Sequence, residues 1–135
     1  MSVTDIVKEN ELLYRAIKRS KKDCLAGKRI TPALFKYEKG GISVDRNVNR
    51  QRTEVIEFMR NNPRLYNRVK GVAELSVTDC KRLGTSVIAD PSDENPYHAN
   101  IFLDENDEFK QNIQALGLAD ACKLVFYNEE MQWTG

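Results

Sequence analysis

Histidine is all but absent from this chain: His98 is the only one in 135 residues. Cysteine is scarce as well. Cys24, Cys80 and Cys122 are odd in number and far apart, which fits neither a disulfide framework nor the paired spacing of structural zinc. A zinc site would need all three thiols and His98 to converge, so the cysteines read as small apolar packing residues and no metal or other cofactor is expected. Long apolar runs are missing too, far short of the roughly 20 residues of a membrane span. The opening stretch MSVTDIVKENELLYRAIKRSKK has acidic and amide residues where an export signal carries an apolar core, so a cytoplasmic protein without membrane contact is expected. No glycine-rich phosphate loop follows a strand, no GxSxG turn surrounds a serine, and no repeat or Pro/Gly/Ser-rich linker divides the chain. At 41% hydrophobic residues, positions 1–135 suit a single domain with one core.

Charge of either sign is plentiful but unevenly placed. The net charge is +1, yet residues 1–70 hold 17 Lys and Arg against 8 Asp and Glu, while residues 71–135 hold 4 against 12. The halves therefore stand at +9 and −8. Such a split fits a charge-polarised surface that steers an encounter with a partner. It fits equally well two halves that fold against each other and neutralise internally.

The elements read as short and mixed. ELLYRAI leans to a strand, SKKDCLAGK to a loop, and Pro32 in RITPALFKY opens a helical turn or marks an edge. ISVDR alternates like a strand after Gly40 and Gly41. Residues Asn49 to Asn61 space Val55, Ile56 and Met59 as a helix, stopped by Pro63. VKGVAEL, TSVIADP, HANIFL and CKLVFY are further strand candidates; between the first two, Ser76 caps a short helix that Gly84 ends. Asp104, with Asp107, is expected to cap a last helix that carries Phe109, Ile113 and Leu116 down one side and stops before Gly117. Without regular strand–helix alternation, the class is α+β, with a short mixed or antiparallel sheet and three to four short helices.

Taken in order, LLYRAI, GKRITPALF, ISVDR, GVAEL and NPYHANI resemble segments of a group of short, uncharacterised bacterial proteins, over roughly Leu12 to Ile101. The resemblance implies one bacterial cytosolic domain and transfers no activity.

The candidate chemistry centres on NPYHANI. A strand beginning near Tyr97 would put His98 and Asn100 on one face and Ala99 and Ile101 on the other. An imidazole beside an amide suits a general base or an anion contact, but it equally suits a residue that closes a turn on a main-chain carbonyl. In ISVDR, Ser43 and Asp45 share a side, so His98, Asp45 and Ser43 form the one catalytic set available. Arg15, Lys18, Arg19, Arg29, Arg46 and Asn100 are the candidate binding residues. For nucleic acid, Tyr14, Phe35, Tyr37 and Tyr66 are the aromatics near the basic residues, although apolar neighbours mark Tyr14 and Phe35 as core. The expected function is a protein-binding module; the alternatives are an enzyme or ligand pocket around His98, or a nucleic-acid binder using the basic half.

Overall fold

The structure, a computed structural model, describes residues 6–134. A six-stranded sheet runs in the order β6-β7-β4-β1-β5-β8. Its strands are β1 (Leu12–Lys18), β4 (Ile42–Arg46), β5 (Val69–Ser76), β6 (Ser86–Ala89), β7 (His98–Phe102) and β8 (Lys123–Tyr127). Every neighbouring pair is antiparallel. β2 (Leu25–Ala26) and β3 (Arg29–Ile30) form a small hairpin inside the stretch expected as loop, with Gly27 at φ +65° in its turn. The helices are α1 (Arg52–Asn61), α2 (Val77–Arg82) and α3 (Glu108–Ala121), and two 3₁₀ turns cover Lys22–Cys24 and Pro32–Phe35. The α+β class holds, with an antiparallel sheet.

Alternation along the strands divides the core in two. Leu13, Ile17, Ile42, Val44, Ala73, Leu75, Ala99 and Ile101 face α2, α3 and the Pro32–Phe35 turn in the larger cluster. Tyr14 and Val72, on the other parity, meet Val55 and Met59 of α1. The helix covers only the β1 and β5 part of this second face, so the β4, β7 and β6 part is left without a helix over it.

Three helix expectations change. α1 begins at Arg52, later than Asn49, because Val48 and Asn49 sit at φ 41° and 62°, left-handed values that a right-handed helix cannot include. The cap of α3 is Asp107, whose Oδ1 accepts from Lys110 N at 3.1 Å; Asp104 instead accepts from Asn106 and Asp107 N in the preceding turn. Gly117 lies inside α3 and does not end it, because Leu83 packs there so closely that a Cβ would stand 2.5 Å from Leu83 Cδ2. That close approach selects which face of α3 turns inward. Ala115, Leu118 and Ala119 are buried, while Phe109, Ile113 and Leu116 remain 73, 52 and 51% exposed.

A candidate acid–base cleft

Because opposed residues of an antiparallel pair project to one face, the register draws a row of polar side chains across the sheet. Lys123 stands opposite Glu74, Glu74 opposite Tyr14, Tyr14 opposite Asp45 and Asp45 opposite His98. Under α1 the row is closed: Tyr14 OH donates to Glu74 Oε2 at 2.7 Å, and Arg52 holds the same carboxylate through two bonds of 2.8 and 3.0 Å. Burial, together with the Glu74 carboxylate, pushes the Tyr14 hydroxyl up to about 12, so it stays a donor. Beyond Tyr14 the helix cover ends and the row opens into a cleft of about 870 Å³, within the range of roughly 300–1,000 Å³ typical of small-molecule sites.

The cleft exists because β1 and β4 part company. They pair only at Leu13↔Arg46 and Tyr14↔Asp45. Past that point Arg15 bridges the gap, its Nε donating to Leu34 O at 2.7 Å and its Nη1 to Ser43 O at 2.8 Å. Leu12 O accepts from Asn47 N, so the even-numbered residues of β1 turn their main-chain groups towards β4. Ala16 thus presents its N–H and C=O to the split.

Asp45 and His98 are held by the loop between β6 and β7. Asn95 Oδ1 accepts from Tyr97 N at 3.0 Å, which orients its amide so that Nδ2 donates to Asp45 Oδ1 at 3.0 Å. Burial raises the Asp45 carboxyl above the usual aspartate range, against the lowering pull of the Asn95 bond and of Arg50 and His98. Nδ1 of His98 lies 3.0 Å from Asp90 O and 3.2 Å from Asp90 Oδ2, and Asn100 Nδ2 donates to Asp90 Oδ2 at 3.1 Å. Two acceptors at Nδ1 place the proton there and leave the lone pair on Nε2. His98 does bind a main-chain carbonyl, that of Asp90 and not one of the Asn95–Pro96 turn. No family model, curated protein or solved structure matches this chain.

The expected catalytic residues therefore share one face, with a different internal pairing. Ser43 stands opposite Asn100, two positions along the ladder from the Asp45–His98 pair, and the acid at the imidazole Nδ1 is Asp90. Asp90 and Asn95 are not among the residues that the sequence singles out; a carboxylate and a carboxamide shortly before the lone histidine are the signal it offers. Among the described residues, no group of three or more His, Cys, Asp or Glu could hold a metal ion.

The binding candidates scatter. Arg15 and Lys18 line the cleft. Arg19 ties down the C-terminal segment through Gln132 O at 3.1 Å, and Arg29 lies on the β2–β3 hairpin. Arg46 is a correction: it is 1% exposed and ion-paired with Glu11, so a partner has no surface of it to reach. Tyr14 and Phe35 are buried and have no face to offer a base. The two charge halves also interleave, since β1 and β4 of the basic half lie between β7 and β5 of the acidic half. Arg52–Glu74, Arg64–Glu94 and Lys28–Glu129 join them at 2.8, 3.1 and 3.0 Å.

The raised Asp45 carboxyl carries a stability signature. An acid whose folded pKa exceeds its unfolded one costs nothing when protonated in both states; the cost grows as pH rises above the unfolded value and is complete above the folded one. Asp45→Asn retains an oxygen acceptor for Asn95 and removes that cost. Denaturant midpoints should rise for this variant at pH 7, and the gain should fade as pH falls towards the ordinary aspartate value of 3.8. A lower midpoint at pH 7 would show the carboxylate to be a net structural asset.

Proposed function

We propose that the protein is a small acid–base enzyme acting on a hydroxyl-bearing ligand in the cleft, with His98 Nε2 as proton acceptor and Asp45 as the partner that returns a proton. The pairing of His98 Nδ1 with both oxygens of Asp90 carries this reading, because it fixes the tautomer that a general base needs. Asn100 positions Asp90, and Asp90 would steady the imidazolium once Nε2 has taken a proton from a substrate hydroxyl or water. Asp45, kept protonated further up the pH scale than an exposed aspartate, stands directly across the strand pair, with Cβ atoms about 4.5–5.5 Å apart in such a pair. A bacterial, cytoplasmic setting belongs to the same proposal. The three thiols are unpaired and raised by burial, which keeps them protonated and unreactive in that setting.

One imidazole in the chain makes the test direct. In protein carrying ¹⁵N-histidine, above the imidazole titration, Nδ1 should show the protonated and Nε2 the unprotonated nitrogen shift. The opposite tautomer would remove His98 as base.

A second reading, docking to a protein partner, is favoured by α3. Phe109, Ile113 and Leu116 form an exposed apolar stripe at helical spacing. Phe109→Ser with Leu116→Ser should abolish capture of a partner while leaving the His98 tautomer unchanged.

A further inference from the structure

The acid–base reading uses one end of the cleft, and the other end is cationic. Arg15 lies in the cleft wall as a half-buried guanidinium whose two assigned bonds go to main-chain carbonyls. A guanidinium carries five N–H donors, so the fork has capacity beyond these two bonds. Burial works against its charge, and Glu38 offsets this only through space. Lys18, Lys21 and Lys36 line the same end, where Asp23 and Glu38 are the carboxylates, so four cations face two anions. At the other end the balance reverses: Asp45, Asp90 and Glu94 meet Arg64, which is bound to Glu94 at 3.1 Å.

The cleft is thus bipolar along β1. Lys18 is four residues beyond Tyr14, the cross-strand partner of Asp45, and a strand advances about 3.3 Å per residue, which separates the two ends by roughly 13 Å. A ligand that satisfies both ends has an anion at one terminus and hydroxyls at the other. Between them, the Ala16 main-chain groups in the split offer neutral hydrogen bonds.

We propose that the cleft binds a small phosphorylated, polyhydroxylated molecule of the sugar-phosphate type. Its phosphate sits against Arg15, Lys18 and Lys21 and its hydroxyls reach Asp45 and His98. The hydroxyl end rests on the acid–base reading; the phosphate end stands without it. A guanidinium with N–H donors to spare and flanking ammonium groups are the usual recognition set for phosphate.

The test is calorimetric titration of the full chain at low ionic strength with ribose 5-phosphate, ribose, inorganic phosphate and a short single-stranded RNA. Ribose 5-phosphate should bind about tenfold or more tighter than either ribose or inorganic phosphate, the scale expected of charge-assisted contacts. Arg15→Gln would disturb the strand split, so Lys18→Gln combined with Lys21→Gln carries the comparison. This variant should lose the tenfold advantage and keep its weak affinity for ribose. Equal affinity for ribose and ribose 5-phosphate, an unchanged affinity in the lysine variant, or binding of the RNA alone would each overturn the proposal. The imidazole tautomer and these affinities are separate readouts. A wrong tautomer with intact phosphate selectivity ends only the acid–base reading, and the converse ends only this one.

Discussion

Replacing Arg46 by methionine while Glu11 remains should lower the unfolding free energy by about 3–5 kcal/mol, the cost of leaving one buried charge without its partner. Arg46 Nε and Nη2 grip Glu11 at 2.7 and 2.9 Å, and Nη2 also donates to Ile6 O at 3.0 Å. For a domain whose whole stability is about 5–15 kcal/mol, that is at least about a fifth of the total. Arg46→Met with Glu11→Leu should recover most of the loss, because the pair contributes far less than the penalty for breaking it. Urea denaturation at constant slope measures both. A single-variant loss below about 1 kcal/mol would mean that water reaches the carboxylate and screens it.

The same pair imposes an acid limit. Burial alone would raise the Glu11 carboxyl, but the Arg46 bond, the Lys8 N–H and the nearby cations outweigh it and hold it below the ordinary glutamate value of 4.5. A depressed carboxyl contributes its stability above the unfolded pKa and loses it as pH falls through the folded one. Glu74, lowered by Arg52 and Tyr14 against its own burial, adds to the loss in the same direction.

Gly41→Ala is the second large expected effect, about 2–4 kcal/mol. Gly41 sits at φ +93°, where a side chain is strained by about 1–2 kcal/mol, and an added Cβ would stand 2.6 Å from Asn100 Cβ and 2.9 Å from Phe102 Cζ. The first of these is the root of a side chain and cannot swing away. Its displacement would loosen Asn100 from Asp90, so the His98 resonances should shift along with the lost stability. Gly40→Ala is the control: nothing lies within 4 Å of a Cβ there, and the change should stay within about 0.5 kcal/mol. Equal effects from the two glycines would refute the close approach.

Period-two alternation in ISVDR and HANIFL was enough to place Ser43 with Asp45 and His98 with Asn100. It could not show that the two strands lie side by side, since Asp45 and the Asn95 that holds it are 50 residues apart. The role of Asp90 was hidden for the same reason: an acid before a proline looks like a solvated turn until a neighbouring strand supplies the imidazole. Phe109, Ile113 and Leu116 show a different limit. Helical spacing defines faces but does not choose among them, and here Leu83 against Gly117 turns the face with Gln114, Ala115 and Leu118 inward. The charge split was legible as a number, and its spatial meaning depended on strand order.

That strand order bears on how the chain reaches its native state. Among the neighbours in the six-stranded sheet, only β6 and β7 follow one another in sequence; β1 waits for a partner whose Glu74 lies 60 residues beyond Tyr14. Pairings this distant carry a large loop-closure cost, the ordinary cause of slow folding. Here the unfolded chain is +9 at one end and −8 at the other, so Coulomb attraction draws together the two segments that must interleave. The sequence dipole disappears into the finished sheet, where the two halves alternate.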